Sequence, residues 1–198
     1  MSAKHAALGF KLHTGWAAVV AAARTRDRIE ILLRRRIELL PNDGSVPRFV
    51  YHEAAEVPLT DAKRLLKRTG SAARESAHTA IAAIVAELRV GGVTIDAAAV
   101  AAASTALPSD LSRILAAHTM IHSAEGVLFQ EAVADTCEAR GLKVLRIRER
   151  DLWPKLGEAA TAEIDGLRGL IGPPWGADQK TAAGLALAAL GVPLTQKA

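Results

Sequence analysis

The sequence predicts an α/β protein with a mixed five-stranded sheet: a three-stranded antiparallel meander, then β-α-β crossovers, with extra C-terminal helices. Three short apolar runs joined by tight turns lie in the first 40 residues, and two more alternate with long helical stretches. A length of 198 residues suits one domain. We expect a sheet core over 1–150 and a helical extension over 151–198 packed on it.

The meander comes from residues 6–12, 16–23 and 28–40, with a turn at 13–15 between the first two runs. The third run alternates, which is typical of an antiparallel strand with one solvated face. Its apolar side is predicted to hold Ile29, Ile31, Leu33, Ile37 and Leu39. Arg35 interrupts that side and predicts a bulge or a sheet edge.

The rest of the chain alternates between helices and strands. Residues 41–58 are predicted to form a loop, and Thr60 to cap a helix that runs to residue 89. Residues 93–105 favour a buried strand over a helix because β-branched residues and bounding glycines accompany the alanines. Then follow helical residues 108–141, with a break near Thr119 left open, a strand at 142–148, and helices at 151–156, 158–170 and 178–190.

Composition limits the setting and the partners. The net charge of +4 permits an anionic partner without requiring one. Cys137 is the single cysteine, which excludes an internal disulfide and fits a reducing compartment. The first residues lack the apolar core of a secretory signal, and no segment suits a bilayer span. We therefore expect a cytoplasmic protein without a membrane partner.

Three titratable residues interrupt the apolar face of the predicted 108–141 helix: His118, His122 and Glu125, spaced i, i+4, i+7. Two imidazoles one turn apart can share a metal with a carboxylate as third ligand, so these residues are the candidate ligands of a divalent metal. The alternative is a set of hydrogen-bonded polar groups without any cofactor. Either way, the trio is the first candidate for a catalytic site, since partial burial of such groups shifts their protonation.

Tyr51 and His52 are further catalytic candidates because they end the predicted loop, and both side chains can act as acid, base or donor. The alternative interpretation is an aromatic anchor that holds the loop to the sheet.

Two groups of basic residues could contact phosphates. The first is the predicted phosphate-binding cluster Lys63, Arg64, Lys67 and Arg68, at the start of the 60–89 helix. The second comprises the arginines around the hairpin: Arg24, Arg26, Arg28, Arg34, Arg35 and Arg36. Nearby acidic residues favour the alternative of an ordinary solvated face, and no aromatic residues alternate with the charges.

The opening hairpin, Gly9-Phe10-Lys11-Leu12-His13-Thr14-Gly15-Trp16-Ala17-Ala18-Val19, resembles the first strand of Holliday-junction resolvases. This resemblance and the element order imply the ribonuclease H-like fold. Two-metal nucleases of that fold hold their ions with carboxylates, one of them on this strand. Lys11 stands at that position here, and Ser104-Thr105 provides no carboxylate at the end of the fourth strand.

The sequence therefore leaves three functions open. The first is a non-catalytic or diverged ribonuclease H-like binding or interaction domain, because the expected carboxylates are missing. The second is a mononuclear metal-dependent hydrolase that uses His118, His122 and Glu125. The third is a nucleic-acid-binding protein. The partner stays open between nucleic acid, another protein and a second copy of the chain.

Overall fold

A computed structural model describes residues 4–25, 28–103 and 106–191 of the chain. The strands are β1 (Lys4–His13), β2 (Trp16–Arg24), β3 (Ile29–Glu38), β4 (Val93–Ala102) and β5 (Lys143–Arg148). The helices are α1 (Val50–Ala55), α2 (Leu59–Val90), α3 (Leu111–Leu115), α4 (His118–Ala139), α5 (Glu149–Gly166), α6 (Arg168–Ile171) and α7 (Ala177–Ala189).

The five strands form one mixed sheet in the order β3-β2-β1-β4-β5. The first three strands pair antiparallel, whereas β4 pairs parallel with both β1 and β5. Parallel neighbours cannot be joined by a tight turn, and helices α3 and α4 connect β4 to β5. Helices α1 and α2 carry the chain from β3, at one edge of the sheet, across to β4. The predicted meander with crossovers is confirmed, including the strand character of residues 93–102.

Helices cover both faces of the sheet and bury an alanine-rich core. One hydrophobic cluster joins the sheet to α2 and α4, with Phe10 and Phe129 among its largest buried side chains. The second cluster joins the opposite face to α5 and α7, around Leu152, Leu156 and Leu185. The small alanine side chains allow helix and sheet backbones to approach closely. Within the described residues, no helix is both long and apolar enough to cross a bilayer.

A bulge in β3 and another in β4 reverse the face of the sheet toward which the following side chains point. In β3, Leu33 pairs with Ala21 and Ile31 with Ala22, so Leu32 is an extra residue. The predicted single apolar side of β3 is therefore wrong: Ile29 and Ile31 face the α5–α7 layer, and the later apolar residues face α2 and α4. The extra residue reverses the alternation of side chains. In β4, Asp96 is the extra residue, because Ala6 pairs with Ile95 and Ala7 with Ala97.

The structure corrects three further expectations. The bulge does not lie at Arg35, which pairs regularly with Val19, although β3 is indeed an edge strand. Residues 41–58 are not entirely irregular, since α1 lies within them. Thr60 does not cap α2, because the helix already begins at Leu59 after Pro58.

Glycine and alanine residues divide the remaining helical stretches. The helical stretch is broken just before Thr119: Ala116 and Ala117 separate α3 from α4. Gly157, with a φ of 78°, interrupts α5 between the two helices predicted there. The α6–α7 turn is held to β3 by Arg34, whose guanidinium donates to the carbonyl oxygens of Ile171, Gly172 and Pro174.

Strand β1 and helix α7 approach each other closely at Gly9. A Cβ atom at this position would lie 1.8 Å from the carbonyl oxygen of Ala182 and 2.5 Å from the amide nitrogen of Ala186. Both atoms belong to the backbone of α7, so no rotation of a side chain could relieve the clash. Only glycine permits this contact between strand and helix.

We expect Gly9→Ala to destabilise the fold by about 3 kcal/mol or more, because α7 must move away from the sheet to admit the methyl group. Urea unfolding followed by circular dichroism measures the change. The matched control is Gly166→Ala, where nothing lies within 4 Å of the added Cβ and a change below about 1 kcal/mol is expected. Equal stability of the two variants would contradict the close contact.

Candidate functional site

A cleft of about 310 Å³ opens where the parallel strands β1 and β4 end. In open α/β sheets, ligands bind outside the carboxyl ends of the strands. We call this feature the strand-end cleft. It is lined by Lys11, Leu12, Ala101, Ala102, Ala103, His122, Ser123, Gly126, Gln130 and Glu149.

An ion pair stands on the side of the cleft that belongs to β1 and α5. The Lys11 ammonium lies 2.5 Å from the carboxylate of Glu149, the first residue of α5. Lys11 projects to the same side of β1 as Gly9 because side chains alternate along a strand. Lys11 therefore brings a positive charge into the cleft, and the carboxylate of Glu149 neutralises it.

Three imidazoles form a cluster on the α4 side of the cleft. The Nε2 atoms of His118 and His122, one turn apart on α4, are 2.9 Å apart. The ring of His52 on α1 lies edge-on to both, with its centroid 5.6 Å from that of His118 and 4.8 Å from that of His122. One nitrogen from each ring falls within 4.8 Å of the other two. We call these three residues the histidine cluster.

Glu125 lies behind this cluster as a buried carboxylate, with only 3% of its side chain exposed. Its Oε1 atom accepts hydrogen bonds from the backbone amides of Tyr51 at 2.7 Å and His52 at 3.3 Å, and lies 3.2 Å from Nδ1 of His52. Its Oε2 atom has no hydrogen-bond partner within the described part of the chain. Burial of a carboxylate requires such donors, and here they come from the start of α1.

The five predicted catalytic candidates thus converge on one place, where α1 meets α4. The structure pairs Glu125 with His52 rather than placing it beside His118 and His122. The third residue beside His118 and His122 is His52 rather than Glu125. Tyr51 contributes its backbone amide, and burial together with the nearby Glu125 raises the pKa of its phenol, which stays protonated at neutral pH.

The predicted phosphate-binding cluster lies exposed on the first turns of α2. Arg64 pairs with Asp61, whereas the structure shows no ion pair for Lys63, Lys67 or Arg68 within the described residues. Arg64 and Arg68 also border a surface depression of about 380 Å³.

The arginines around the hairpin are engaged internally. Arg24 pairs with Glu163, Arg28 with Glu30, and Arg35 with Glu87. Arg34 holds the C-terminal turn, and Arg36 pairs with Glu38. Arg26 lies outside the described residues, as do Ser104 and Thr105. Among the described residues of the two predicted basic groups, the cations without a carboxylate or carbonyl partner are therefore Lys63, Lys67 and Arg68 on α2.

The sequence did not reveal two features of the site. Glu149 was not recognised as the partner of Lys11, because 138 residues separate them. A stack of side chains on the hairpin was also missed: the His13 ring lies parallel to Trp16 at 4.1 Å, and the Arg36 guanidinium lies 3.9 Å from the Trp16 ring centre. The tight turn at Gly15 places His13 directly opposite Trp16, which is a signal that the sequence does carry.

Two other titratable residues lie away from the cleft. Asp96 pairs with His5 at the opposite end of β1 and β4, with 2.6 Å between Oδ2 and Nδ1. Cys137 is buried in the core, and this burial raises the pKa of its thiol to about 12 although Arg140 opposes the shift. A thiol of this kind is inert at neutral pH.

No protein-family model and no curated protein matches the chain. Two solved structures are similar in fold. One is RuvC of T. thermophilus in complex with a Holliday junction substrate, with a TM-score of 0.53 and 14% sequence identity, covering 92% of this chain and 90% of that one. The other is a Thermus thermophilus RuvC structure, with the same TM-score and coverage and 12% identity. The chain therefore has the ribonuclease H-like fold that the opening hairpin and the element order predicted.

We expect Glu125→Ala to lower the free energy of unfolding by about 2 kcal/mol or more, because two amides at the start of α1 lose their acceptor. Glu125→Gln should cost less, since its amide oxygen can still accept. Urea unfolding provides the values. Asp135→Ala, on an exposed position of α4, is the control and should change stability by less than about 0.5 kcal/mol. A Glu125→Ala variant as stable as this control would contradict the role given to the carboxylate.

Proposed function

We propose that this protein is a ribonuclease H-like domain that binds nucleic acid through its phosphate backbone without cleaving it by two-metal chemistry. The observation that carries the proposal is the Lys11–Glu149 ion pair in the strand-end cleft. Two-metal catalysis needs carboxylates that bind divalent cations, whereas an ammonium group at this place cannot be a metal ligand. Glu149 is already engaged by Lys11 and is poorly available as a metal ligand.

Binding is assigned to the phosphate-binding cluster on α2. Its four cations occupy positions i, i+1, i+4 and i+5 of the helix, which places them on one exposed side. The hairpin arginines that the structure describes are engaged by carboxylates, carbonyl groups and the Trp16 ring, so we expect them to contribute less to binding an anionic partner. The similarity in fold to a RuvC whose structure contains a Holliday junction supports a duplex or branched partner.

The protein is proposed to act in the cytoplasm. The lone cysteine suits the cytoplasm, and the sheet and its two helical layers are proposed to act as a single domain. The chain is proposed to act alone or as a homo-oligomer on the same nucleic acid.

Binding should depend strongly on salt and on the cluster on α2. We expect the fourfold variant Lys63→Gln, Arg64→Gln, Lys67→Gln and Arg68→Gln to bind a duplex and a four-way junction more weakly than the unmodified protein. The slope of log K against log salt should fall by about 0.9 for each phosphate that the variant no longer neutralises. Fluorescence anisotropy at several salt concentrations measures both quantities.

The control variant replaces four other exposed cations that lie elsewhere on the surface and removes the same charge. These are Arg89, Lys143, Lys155 and Arg168, each changed to Gln. The slope of log K against log salt for this control variant should stay close to that of the unmodified protein. An equal loss of affinity in both variants would show a general charge effect, and no binding by the unmodified protein would overturn the proposal.

Cleavage should be absent under the same conditions. We expect the protein to leave labelled duplex and four-way junction DNA intact in Mg²⁺ or Mn²⁺, because Lys11 occupies the place of a metal-binding carboxylate. Denaturing gel electrophoresis of the labelled strands measures this. Cleavage that requires the metal and is lost in Glu149→Gln would contradict the proposal, and the exposed Glu158→Gln serves as the control against a contaminating nuclease.

A further inference from the structure

We infer that His52, His118 and His122 form a binding site for one divalent first-row transition metal ion of the zinc class. The inference is independent of nucleic-acid binding, because it is carried by α1 and α4 rather than by the basic cluster on α2. Three ring nitrogens, one from each residue, lie within 4.8 Å of one another in the described structure.

The distances fit such an ion after small rotations of the side chains. Zinc binds imidazole nitrogen at about 2.0–2.1 Å in tetrahedral geometry, which separates two ligand nitrogens by about 3.3 Å. The Nε2 atoms of His118 and His122 are 2.9 Å apart, so they need to separate only slightly. His52, whose side chain is about one-third exposed, has to bring its ring closer to the other two while Nδ1 keeps its contact with Glu125.

Glu125 supplies the support that metal-binding histidines usually have. Such histidines place their second ring nitrogen against a carboxylate or carbonyl, which fixes the tautomer and the ring direction. Nδ1 of His52 lies 3.2 Å from Oε1 of Glu125, so its Nε2 atom is left for the metal. The carboxylate is itself buried and held by two backbone amides, which fix its position behind the site.

The exposure of the cluster leaves a fourth coordination position open. His118 and His122 are exposed, and His122 also lines the strand-end cleft. Sites with three protein ligands and one open position are typical of catalytic rather than structural zinc. The three imidazoles favour zinc, nickel, cobalt or copper over magnesium or calcium, which prefer oxygen ligands.

A simple hydrogen bond between two neutral imidazoles is the competing explanation for the 2.9 Å contact. It accounts for His118 and His122, but it does not require His52 to lie edge-on to both rings with a buried carboxylate behind it. Metal titration separates the two explanations.

The test uses the full chain without a polyhistidine tag, treated with chelator and then titrated with Zn²⁺ and Co²⁺ without nucleic acid. We expect one equivalent of Zn²⁺ by calorimetry and a visible absorption spectrum of four-coordinate Co²⁺. His118→Ala and His122→Ala should each abolish stoichiometric binding. Glu125→Gln should weaken binding by about tenfold to hundredfold, as is usual when a supporting carboxylate is removed.

The matched controls are His78→Ala and His5→Ala, exposed histidines outside the cluster that pair with Arg140 and Asp96. Both should bind Zn²⁺ like the unmodified protein. Thermal unfolding with and without Zn²⁺ gives a second readout, because an ion that binds only the folded state raises the melting temperature. The result that overturns the inference is no stoichiometric binding, or binding that survives the loss of His122. Anisotropy with DNA is measured separately, so failure here leaves the proposed function intact.

Discussion

The contact of α7 with β1 through Gly9 is the constraint on which the layered structure depends. Backbone atoms of Ala182 and Ala186 fill the space that any side chain at Gly9 would need. Since β1 lies at the centre of the sheet, between β2 and β4, this contact sets the depth at which the α5–α7 layer packs. It also sets the environment of Lys11, which follows on the same side of β1 and meets the first residue of α5.

Much of this fold could be predicted from the sequence because hydrophobic periodicity specifies the type and order of the elements. The pattern could not locate the two bulges, since Leu32 and Asp96 are ordinary residues at positions where the pairing with the neighbouring strand shifts by one. The sequence indicated Arg35 instead, because a charge that interrupts an apolar side is a local sign of an irregularity. The pairing register depends on both strands, so it cannot be predicted from the pattern of one strand alone.

The candidate site shows the same division between local and tertiary information. The spacing of His118 and His122 specified that both imidazoles lie on one side of α4, and the structure places them in contact. The same spacing favoured Glu125 as their companion, yet the carboxylate turns to the amides at the start of α1. Because α1 is only six residues long and depends on packing rather than propensity, the sequence predicted a loop there. Because the sequence did not predict α1, it could not predict that His52 lies beside the imidazoles of α4.

The charges around the strand-end cleft suit a division of roles between its two sides. On the side of β1 and α5, the ammonium of Lys11 and the carboxylate of Glu149 neutralise each other, so this side neither attracts nor strongly repels a cation at the opposite wall. On the side of α4, the three imidazoles stand in front of the buried carboxylate of Glu125, an arrangement that favours a cation. The strand position at which the resemblance places a metal-binding carboxylate holds Lys11, whereas the histidine cluster lies on α1 and α4. A cation bound there would reach the cleft through His122, which is the residue that the cluster and the cleft share.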